Sequence, residues 1–241
     1  YRLIGVFMKA AIIAGGFGKR LRPLTLEKPK PLVEVAGKPI IQWQIEWFKR
    51  YGVGTIVVLT GYLREKIIEF LGSGQKLGVN VVYVVEDEPL GTAGAIKNAE
   101  GVLSDSVFLA VNGDIITNIP LDKLVNDLIK SDALASIALV PLRSPYGIVE
   151  VDSEGNVKSF KEKPLIEKYL INAGVYAMKP QILQYLPRKG DLERSVFPQL
   201  AKEGLLRGVI FKDVYWRAID TVKDVEEVSK ELLSKNIWGS K

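Results

Sequence analysis

Residues 14 to 32 hold the densest group of side chains and glycines that could do chemistry in this sequence. The segment reads Ala14-Gly-Gly-Phe-Gly-Lys-Arg-Leu-Arg-Pro-Leu-Thr-Leu-Glu-Lys-Pro-Lys-Pro-Leu32, with three glycines, five cationic side chains and three prolines. Glycines let backbone N–H groups close around an anion because no Cβ blocks the approach. Arg20 and Lys30 add full positive charges to the same place. The segment therefore predicts a loop that binds phosphate groups.

Cysteine and histidine are both absent from the 241 residues. Their absence excludes cysteine nucleophiles, Ser-His-Asp triads, disulfide frameworks and zinc sites built from Cys and His. Any chemistry must use Lys, Arg, Asp, Glu and backbone dipoles, with or without a hard cation. Phosphoryl and nucleotidyl transfer need no more than this, because their catalysis is mostly positioning and charge neutralisation.

The glycine loop departs from two common phosphate-binding motifs. In the dinucleotide fingerprint, Leu21 stands where the third glycine belongs, which disfavours an NAD-binding protein. In the P-loop, Ile13 replaces the first glycine and Arg20 replaces the Ser or Thr that holds Mg²⁺. A plain turn with solvated cations is the simpler alternative, but the cations that follow the glycines favour an anion site.

The spacing resembles the signature of nucleoside-diphosphate-sugar pyrophosphorylases, the sugar-1-phosphate nucleotidyltransferases. That signature reads G-G-x-G-x-R-L-x-P-L-T, then P-K-P-L, then G-K-P, which is Gly37-Lys38-Pro39 here. Further matches follow in order over nearly the whole chain: Glu86-Asp-Glu-Pro-Leu-Gly-Thr-Ala-Gly94, Asn112-Gly-Asp-Ile115, Tyr146-Gly147, Phe160-Lys-Glu-Lys-Pro164 and Ile171-Asn-Ala-Gly-Val-Tyr176.

For the nucleotide, the resemblance implies three charged side chains, and small residues in the loops. Arg20 would clamp the triphosphate, and Lys30 would lie against the reacting phosphates. Glu86 would accept from N–H groups on a guanine edge, although a carboxylate at a strand end can also be merely solvated. The remaining implied nucleotide-binding residues are glycines and one threonine: Gly15, Gly16, Gly18, Gly91 and Thr92.

For the metal, the resemblance implies Mg²⁺ as cofactor with Asp114 as a ligand, and phosphate chemistry with hard cations demands such oxygen donors. Many family members carry W-x-D-I-G-T near the end, whereas this chain has Trp216-Arg-Ala-Ile-Asp220-Thr221. Ala218 thus occupies the usual aspartate position. Similar W-x-x-x-D-T endings in sugar-phosphate cytidylyltransferases indicate Asp220 as the second ligand.

For the sugar, the resemblance implies that Lys163 pairs with the sugar 1-phosphate and completes the catalytic set of Arg20 and Lys30. Glu162 would accept from sugar hydroxyl groups. The other residues implied for the sugar pocket are Asn112, Gly147, Asn172 and Gly174.

The implied reaction joins a nucleoside triphosphate to a sugar 1-phosphate and releases pyrophosphate. The segments 86–94, 171–176 and 192–198 look most like mannose-1-phosphate guanylyltransferases, which use GTP and mannose 1-phosphate. Glucose-1-phosphate uridylyl- or thymidylyltransferases share most of these features and stay open as the alternative. A catalytically silent regulatory subunit of the same fold also stays open, because of Ala218.

The elements that must position these residues alternate between strand and helix. Apolar β-branched runs separated by helical stretches predict an α/β fold with a Rossmann-like, mostly parallel mixed sheet flanked by helices. The second half is richer in strands and includes a predicted hairpin around Gly155-Asn156. Predicted strands cover 9–14, 55–60, 79–85, 106–111, 135–140, 147–151, 157–160, 172–178 and 208–216, and predicted helices cover 40–51, 64–71, 92–100, 121–130 and 223–234.

We expect a single domain over residues 8–237, with a mainly nucleotide-binding half (8–140) and a mainly sugar-phosphate-binding half (141–237), after an N-terminal extension (1–7). The net charge of +5 fits small anionic substrates, and no block of like charges indicates nucleic acid. No apolar run approaches the roughly 18 residues that span a membrane, so the expected location is the cytoplasm. The sequence is compatible with a homo-oligomer but does not address it.

Overall fold

The computed structural model describes residues 8–235 and 237–238, so the predicted extension at 1–7 lies outside the described residues. A seven-stranded sheet forms its centre, in the order β12-β8-β11-β6-β1-β4-β5. The strands are β1 Lys9–Ile13, β2 Glu34–Val35, β3 Lys38–Pro39, β4 Thr55–Thr60, β5 Asn80–Val85, β6 Phe108–Asn112, β7 Ile115–Thr117, β8 Ala135–Arg143, β9 Ile148–Val151, β10 Val157–Lys161, β11 Leu165–Met178, β12 Leu206–Ile210 and β13 Trp216–Ala218.

Helices cover both faces of this sheet. They are α1 Ile40–Arg50, α2 Arg64–Leu71, α3 Gly91–Asn98, α4 Glu100–Leu103, α5 Leu121–Ile129, α6 Phe197–Lys202 and α7 Val222–Ser234. Short 3₁₀ turns occur at Lys19–Leu21, Lys30–Leu32, Gln75–Leu77 and Pro180–Gln184, and a π-helical turn spans Leu192–Val196.

The direction of the strands confirms the predicted mostly parallel mixed sheet. β1 runs parallel to both β4 and β6, β4 runs parallel to β5, and β8 runs parallel to β12. Within the described seven-stranded sheet, the long strand β11 runs antiparallel to its neighbours, β6 and β8. Because parallel strands end at one edge, the loops after β1 and β6 meet there.

The period-two alternation of the central strands divides the core between the two faces. In β1, Ala10 and Ile12 pack into the cluster that contains α1 and α5, whereas Ala11 packs into the cluster that contains α3 and α6. Trp47 is buried in α1, and its indole N–H donates to the carbonyl of Ile119 at 3.0 Å.

The predicted strand at 208–216 is wrong. The chain forms two strands there: β12 pairs with β8 in the central sheet, and β13 pairs with β7 in a separate ladder. Phe211 is buried between them, and its N–H donates to the carbonyl of Leu139 at 2.9 Å. Local apolar content does not reveal that the chain leaves one sheet and joins another.

The hairpin of β9 and β10 projects as an exposed arm, as the turn residues predicted. Gly155 adopts a left-handed φ of 87° in the turn. The Asp152 carboxylate accepts from the N–H groups of Glu154 and Asn156. Strand β11 starts at Leu165, earlier than the predicted 172, and so extends from this arm into the sheet. Among the described residues, no helix combines the length and apolar character needed to cross a membrane.

Candidate functional site

A cavity of about 410 Å³ opens at the carboxyl edge of the sheet, beside the ends of β1 and β6. Most of the predicted site residues line it. Those that do are Gly15, Gly16, Gly18, Arg20, Lys30, Glu86, Gly91, Thr92, Asn112, Asp114 and Asp220. Residues from six separate stretches of the chain thus meet in one place.

The glycine loop has the geometry of an anion-binding turn. Gly18 is left-handed, with φ at 59°, and its carbonyl accepts from the buried Thr25 hydroxyl at 2.8 Å. A Cβ added at Gly16 would meet no atom within 4 Å, so this residue faces open space. Within the described part of the chain, the N–H groups of Gly15, Gly16 and Gly18 have no acceptor. Unpaired N–H groups in a glycine-rich turn beside a cavity are suited to bind phosphate oxygens.

Glu86 lies at the back of this cavity, only 8% exposed. A Cβ at Gly15 would overlap its carboxylate, and a Cβ at Gly61 would come within 2.8 Å of its Cγ, so both glycines make room for Glu86. Burial raises the pKa of the Glu86 carboxyl, although the N–H of Leu90 donates to it and opposes the shift. Its buried Oε2 has no partner among the described residues. An unpaired carboxylate oxygen that faces a cavity is suited to accept from an N–H group of a ligand.

Charged residues from distant parts of the sequence form a compact cluster next to the glycine loop. The Lys30 ammonium lies 2.7 Å from Asp114 Oδ2 and 2.9 Å from Asp220 Oδ1. The Arg20 guanidinium lies 2.8 Å from the same Asp220 oxygen. Lys30 is 15% exposed and the two aspartates are 26% and 29% exposed, so water screens these contacts only in part.

Several backbone contacts fix the two aspartates. The buried Gln44 side chain of α1 donates to the carbonyls of Asn112 and Ile115, on either side of Asp114. Pairing of β7 with β13 brings the second aspartate close, and the Ile219 N–H donates to the carbonyl of Asp114 at 2.9 Å.

Asp220 directly precedes a capped helix. Thr221 is the N-cap of α7 and forms a capping box with Asp224. The Asp224 carboxylate also accepts from the N–H of Asp220 at 3.0 Å. The cap therefore orients Asp220 as well as starting the helix.

Asp114 and Asp220 have the donor chemistry that Mg²⁺ requires. Two carboxylates already share one cation, the Lys30 ammonium, and both face the cavity. Among residues 8–235 and 237–238, no three acidic side chains converge as a closed metal cage. Mg²⁺ is commonly held by one or two carboxylates together with substrate phosphates, so this donor set fits the ion.

The remaining predicted sugar residues lie outside the cavity lining, in two places. Asn172 and Gly174 lie on β11, where the Asn172 Oδ1 accepts from the Gly174 N–H at 2.9 Å. Gly174 is left-handed, and a Cβ there would come within 2.8 Å of the Asn112 amide nitrogen. These two residues therefore continue the cavity wall behind Asn112.

Gly147, Glu162 and Lys163 lie on the exposed arm. A Cβ at Gly147 would come within 3.0 Å of Glu162 Oε2, so this glycine and this carboxylate are neighbours. Lys163 is exposed and adopts a left-handed φ of 45°, which is rare for a side chain other than glycine. Such backbone strain is often found at functional sites.

Sequence reasoning did not single out three residues that belong to the site region. Asp191 lines the cavity, and Glu193 and Tyr176 form a hydrogen-bonded pair next to it. Tyr176 ends the Ile171–Tyr176 motif, and Glu193 lies in a π-helical turn, which is frequent at functional sites. Asp191 and Glu193 reach the site from a turn about 100 residues after Thr92, and such a distant contribution leaves no local spacing signal.

The fold and the site together define an α/β protein with a candidate phosphate-binding cavity at the carboxyl edge of its sheet. The family model described as nucleotidyl transferase matches residues 9–235. The chain belongs to this nucleotidyl transferase family.

Two relatives with different named activities are similar to most of this chain. The chain is 39% identical over 226 residues to a mannose-1-phosphate guanyltransferase of Yarrowia lipolytica, covering 90% of this chain and 62% of that protein. It is 32% identical over 250 residues to a UTP–glucose-1-phosphate uridylyltransferase of Synechocystis, covering 95% of this chain and 64% of that protein. The chain therefore spans less than two thirds of the length of these relatives.

Solved structures share the fold over almost the whole chain. HddC from Yersinia pseudotuberculosis superposes with a TM-score of 0.75 at 28% identity, covering 93% of this chain and 99% of that chain. A structure of HddC complexed with GMP-PN superposes with a TM-score of 0.73 at 27% identity, over the same shares of both chains.

Proposed function

We propose that this protein transfers a guanylyl group from GTP to mannose 1-phosphate, giving GDP-mannose and pyrophosphate, with Mg²⁺ as cofactor. The observation that carries the proposal is the meeting of Arg20, Lys30, Asp114 and Asp220 beside a glycine loop with unpaired N–H groups. Two cations and two carboxylates next to a phosphate-binding loop suit the joining of two anionic substrates.

The reaction needs no covalent intermediate with the protein. An oxygen of the sugar phosphate attacks the α-phosphorus, a new P–O bond forms, and the bond to the β-phosphate oxygen breaks with its electron pair on pyrophosphate. The attacking oxygen is already ionised, so no general base is required, consistent with a chain that lacks histidine. The protein must hold two anions together against their repulsion.

The described residues divide this task. The N–H groups of the glycine loop bind the nucleotide phosphates, and Arg20 turns from Asp220 to the departing pyrophosphate. Lys30 neutralises the reacting phosphates. Lys163 binds the sugar phosphate from the arm, while Glu162, Gly147, Asn172 and the wall behind Asn112 receive the sugar. Asp114 and Asp220 would hold Mg²⁺, which supplies a Lewis acid for the phosphoryl oxygens.

Two observations support guanine as the base. The Glu86 carboxylate, whose Oε2 has no partner among the described residues, can accept from both N–H groups on the guanine edge. Uracil offers only one such donor there. Several relatives named mannose-1-phosphate guanylyltransferases are 36% to 39% identical to this chain. The alternative, uridylyl transfer to glucose 1-phosphate, is favoured by the Synechocystis relative.

The test is pyrophosphate release with Mg²⁺ over a grid of GTP, UTP, dTTP, CTP and ATP against mannose, glucose and N-acetylglucosamine 1-phosphates. We expect the fastest release with GTP and mannose 1-phosphate. Another preferred pair would retain the nucleotidyltransferase and reject the base assignment. No release with any pair, from folded protein, would favour the silent regulatory subunit and overturn the proposal.

A matched pair of variants tests the metal assignment in the same assay. Asp114→Asn should lower kcat by at least about 100-fold, because a metal ligand that stabilises transition-state charge is lost. Asp132→Asn changes an exposed aspartate before β8 in the same isosteric way and should leave kcat unchanged. Equal rates for the two variants would contradict the role of Asp114.

A further inference from the structure

The Tyr176 hydroxyl is buried at the end of β11 and belongs to a polar network. The side chain is 0% exposed, and its ring packs against Phe197 with 5.3 Å between centroids. The hydroxyl donates to Glu193 Oε1 at 3.2 Å and accepts from Asn172 Nδ2 at 3.0 Å. Burial, with the Glu193 carboxylate as the next cause, raises the pKa of Tyr176 far above its ordinary value. The hydroxyl therefore keeps its proton and remains a donor.

Glu193 connects this hydroxyl to the nucleotide side of the cavity. Its other oxygen, Oε2, accepts from the Thr92 hydroxyl at 2.9 Å, and Thr92 Oγ1 accepts from the Leu192 N–H at 2.8 Å. Thr92 lies in the first turn of α3 and lines the cavity. The carboxylate thus uses one oxygen for each side of the site.

The segment that carries Glu193 also holds the start of α3 in place. The Gly190 carbonyl accepts from the N–H groups of Ala93 and Gly94, and the Gly190 N–H donates to the Leu90 carbonyl at 2.8 Å. A Cβ at Gly91 would overlap the Gly190 carbonyl. The loop and the helix start are in direct backbone contact, so a shift of one moves the other.

The other end of the network reaches the sugar side. Asn172 donates to Tyr176 and accepts from the Gly174 N–H, and Gly174 packs directly on the Asn112 amide. Asn112 lines the cavity, and its buried Oδ1 has no partner among the described residues. A continuous path of contacts therefore joins Thr92 to Asn112.

We infer that Glu193 and Tyr176 are positioning residues. They hold the start of α3 and the β11 side of the sugar pocket at a fixed distance and orientation to each other. The inference rests on the proposed function. Joining two substrates requires their reacting atoms to be held within a few tenths of an ångström, and a small misplacement is costly in rate. Hydrogen bonds to a carboxylate are stronger than neutral ones, which suits a link of this kind.

Steady-state kinetics of single and double variants tests the inference. Tyr176→Phe keeps the ring and removes only the hydroxyl, which frees the Asn172 amide. We expect its KM for the sugar 1-phosphate to rise about tenfold, the usual order for one lost hydrogen bond to a charged group, with a much smaller change for the triphosphate. Glu193→Ala should raise both KM values, because it also frees Thr92.

Two further variants separate positioning from general damage. Glu193→Gln can keep a contact to each hydroxyl, so it should restore most of what Glu193→Ala loses. Tyr185→Phe is the matched control: its hydroxyl also bonds a glutamate, Glu203, but outside the cavity, and both KM values should stay unchanged. The double variant Tyr176→Phe, Glu193→Ala should have the same KM values as Glu193→Ala alone, because both changes remove the same connection, the hydrogen bond between Tyr176 and Glu193.

The inference is overturned if the two changes add independently, or if Tyr176→Phe leaves kcat and both KM values unchanged. A readout without substrates covers the case in which the proposed function fails. Amide hydrogen exchange of the free protein should rise in Glu193→Ala both at 92–94 and at 173–175, and in Tyr185→Phe at neither. Faster exchange on one side only would also overturn the link, whatever the enzyme's activity.

Discussion

At the scale of single residues, Lys30 offsets the negative charge of the two aspartates in the site. Its ammonium is the shared partner of Asp114 and Asp220, which would otherwise face each other as like charges. Pro29 and Pro31 flank it, and Pro31 is buried at the start of a 3₁₀ turn, so the backbone around Lys30 is stiff. This stiffness fixes where the ammonium lies.

Replacement of Lys30 by methionine should therefore destabilise the protein. We expect the free energy of unfolding to fall by about 1–3 kcal/mol, less than for a fully buried pair because the aspartates are partly exposed. Urea unfolding at pH 7 without metal measures it. Lys28→Met is the control, since its bridge to Glu34 is exposed and should matter little. An equal loss in both variants would contradict a special role for Lys30.

The ionised Glu86 carboxylate should lower the free energy of unfolding of the unliganded protein at neutral pH. Burial raises its pKa, so in the window between the unfolded and folded pKa the native state binds more protons, and stability falls as pH rises. Glu86→Gln cannot ionise and should be more stable than the wild type at pH 7, with the difference disappearing near pH 4.

Urea unfolding at pH 4 and pH 7 measures this difference, and the exposed Glu69→Gln on α2 is the control. The same Glu86→Gln variant should lose its preference for GTP over UTP, because an amide offers one acceptor oxygen instead of two. A variant that is less stable than the wild type at pH 7 would show that the Glu86 carboxylate is well solvated or paired.

At the scale of elements, the site depends on where α3 begins. Gly91 opens this helix with a left-handed φ of 77°, in contact with the Gly190 backbone. The loop before α3 also supplies the Leu90 N–H that donates to Glu86. The start of one short helix thus connects the predicted base site with the loop that carries Glu193.

Gly91→Ala should disturb this junction. The left-handed φ and the overlap with the Gly190 carbonyl should together cost at least about 1–3 kcal/mol of unfolding free energy and weaken triphosphate binding. Calorimetric titration with GTP and urea unfolding measure the two effects. Gly101→Ala, in the next helix, meets no atom within 4 Å and should be neutral or slightly stabilising. Unchanged GTP affinity in Gly91→Ala would contradict this assignment.

At the scale of the whole molecule, the positive net charge of +5 should attract both anionic substrates. Electrostatic attraction over several ångströms is screened by salt, with a Debye length of about 10 Å at 0.1 M. We expect kcat/KM for the triphosphate to fall as KCl is raised, while kcat at saturation changes little. A parallel fall of kcat/KM and kcat would indicate that salt acts on the catalytic contacts instead of on the encounter between the protein and the triphosphate.

Much of the architecture could be predicted from the sequence, because it is encoded locally. Alternating apolar runs and helical stretches indicated the parallel sheet, and Gly155 indicated the hairpin turn. The prediction failed at 208–216, where β12 and β13 belong to different sheets. Strand propensity reports that a segment is extended, but the partner of a strand depends on packing far along the chain.

The sequence by itself determined the glycine loop, the supply of cations and carboxylates, and the limits that a chain without histidine or cysteine sets on its chemistry. These follow from residue type and short-range spacing, which fix backbone conformation. Only the tertiary structure decided that Lys30 contacts Asp114 and Asp220, 84 and 190 residues away, and that Tyr176 contacts Glu193. Such contacts arise when strands and helices pack into one core, so local spacing carries no record of them.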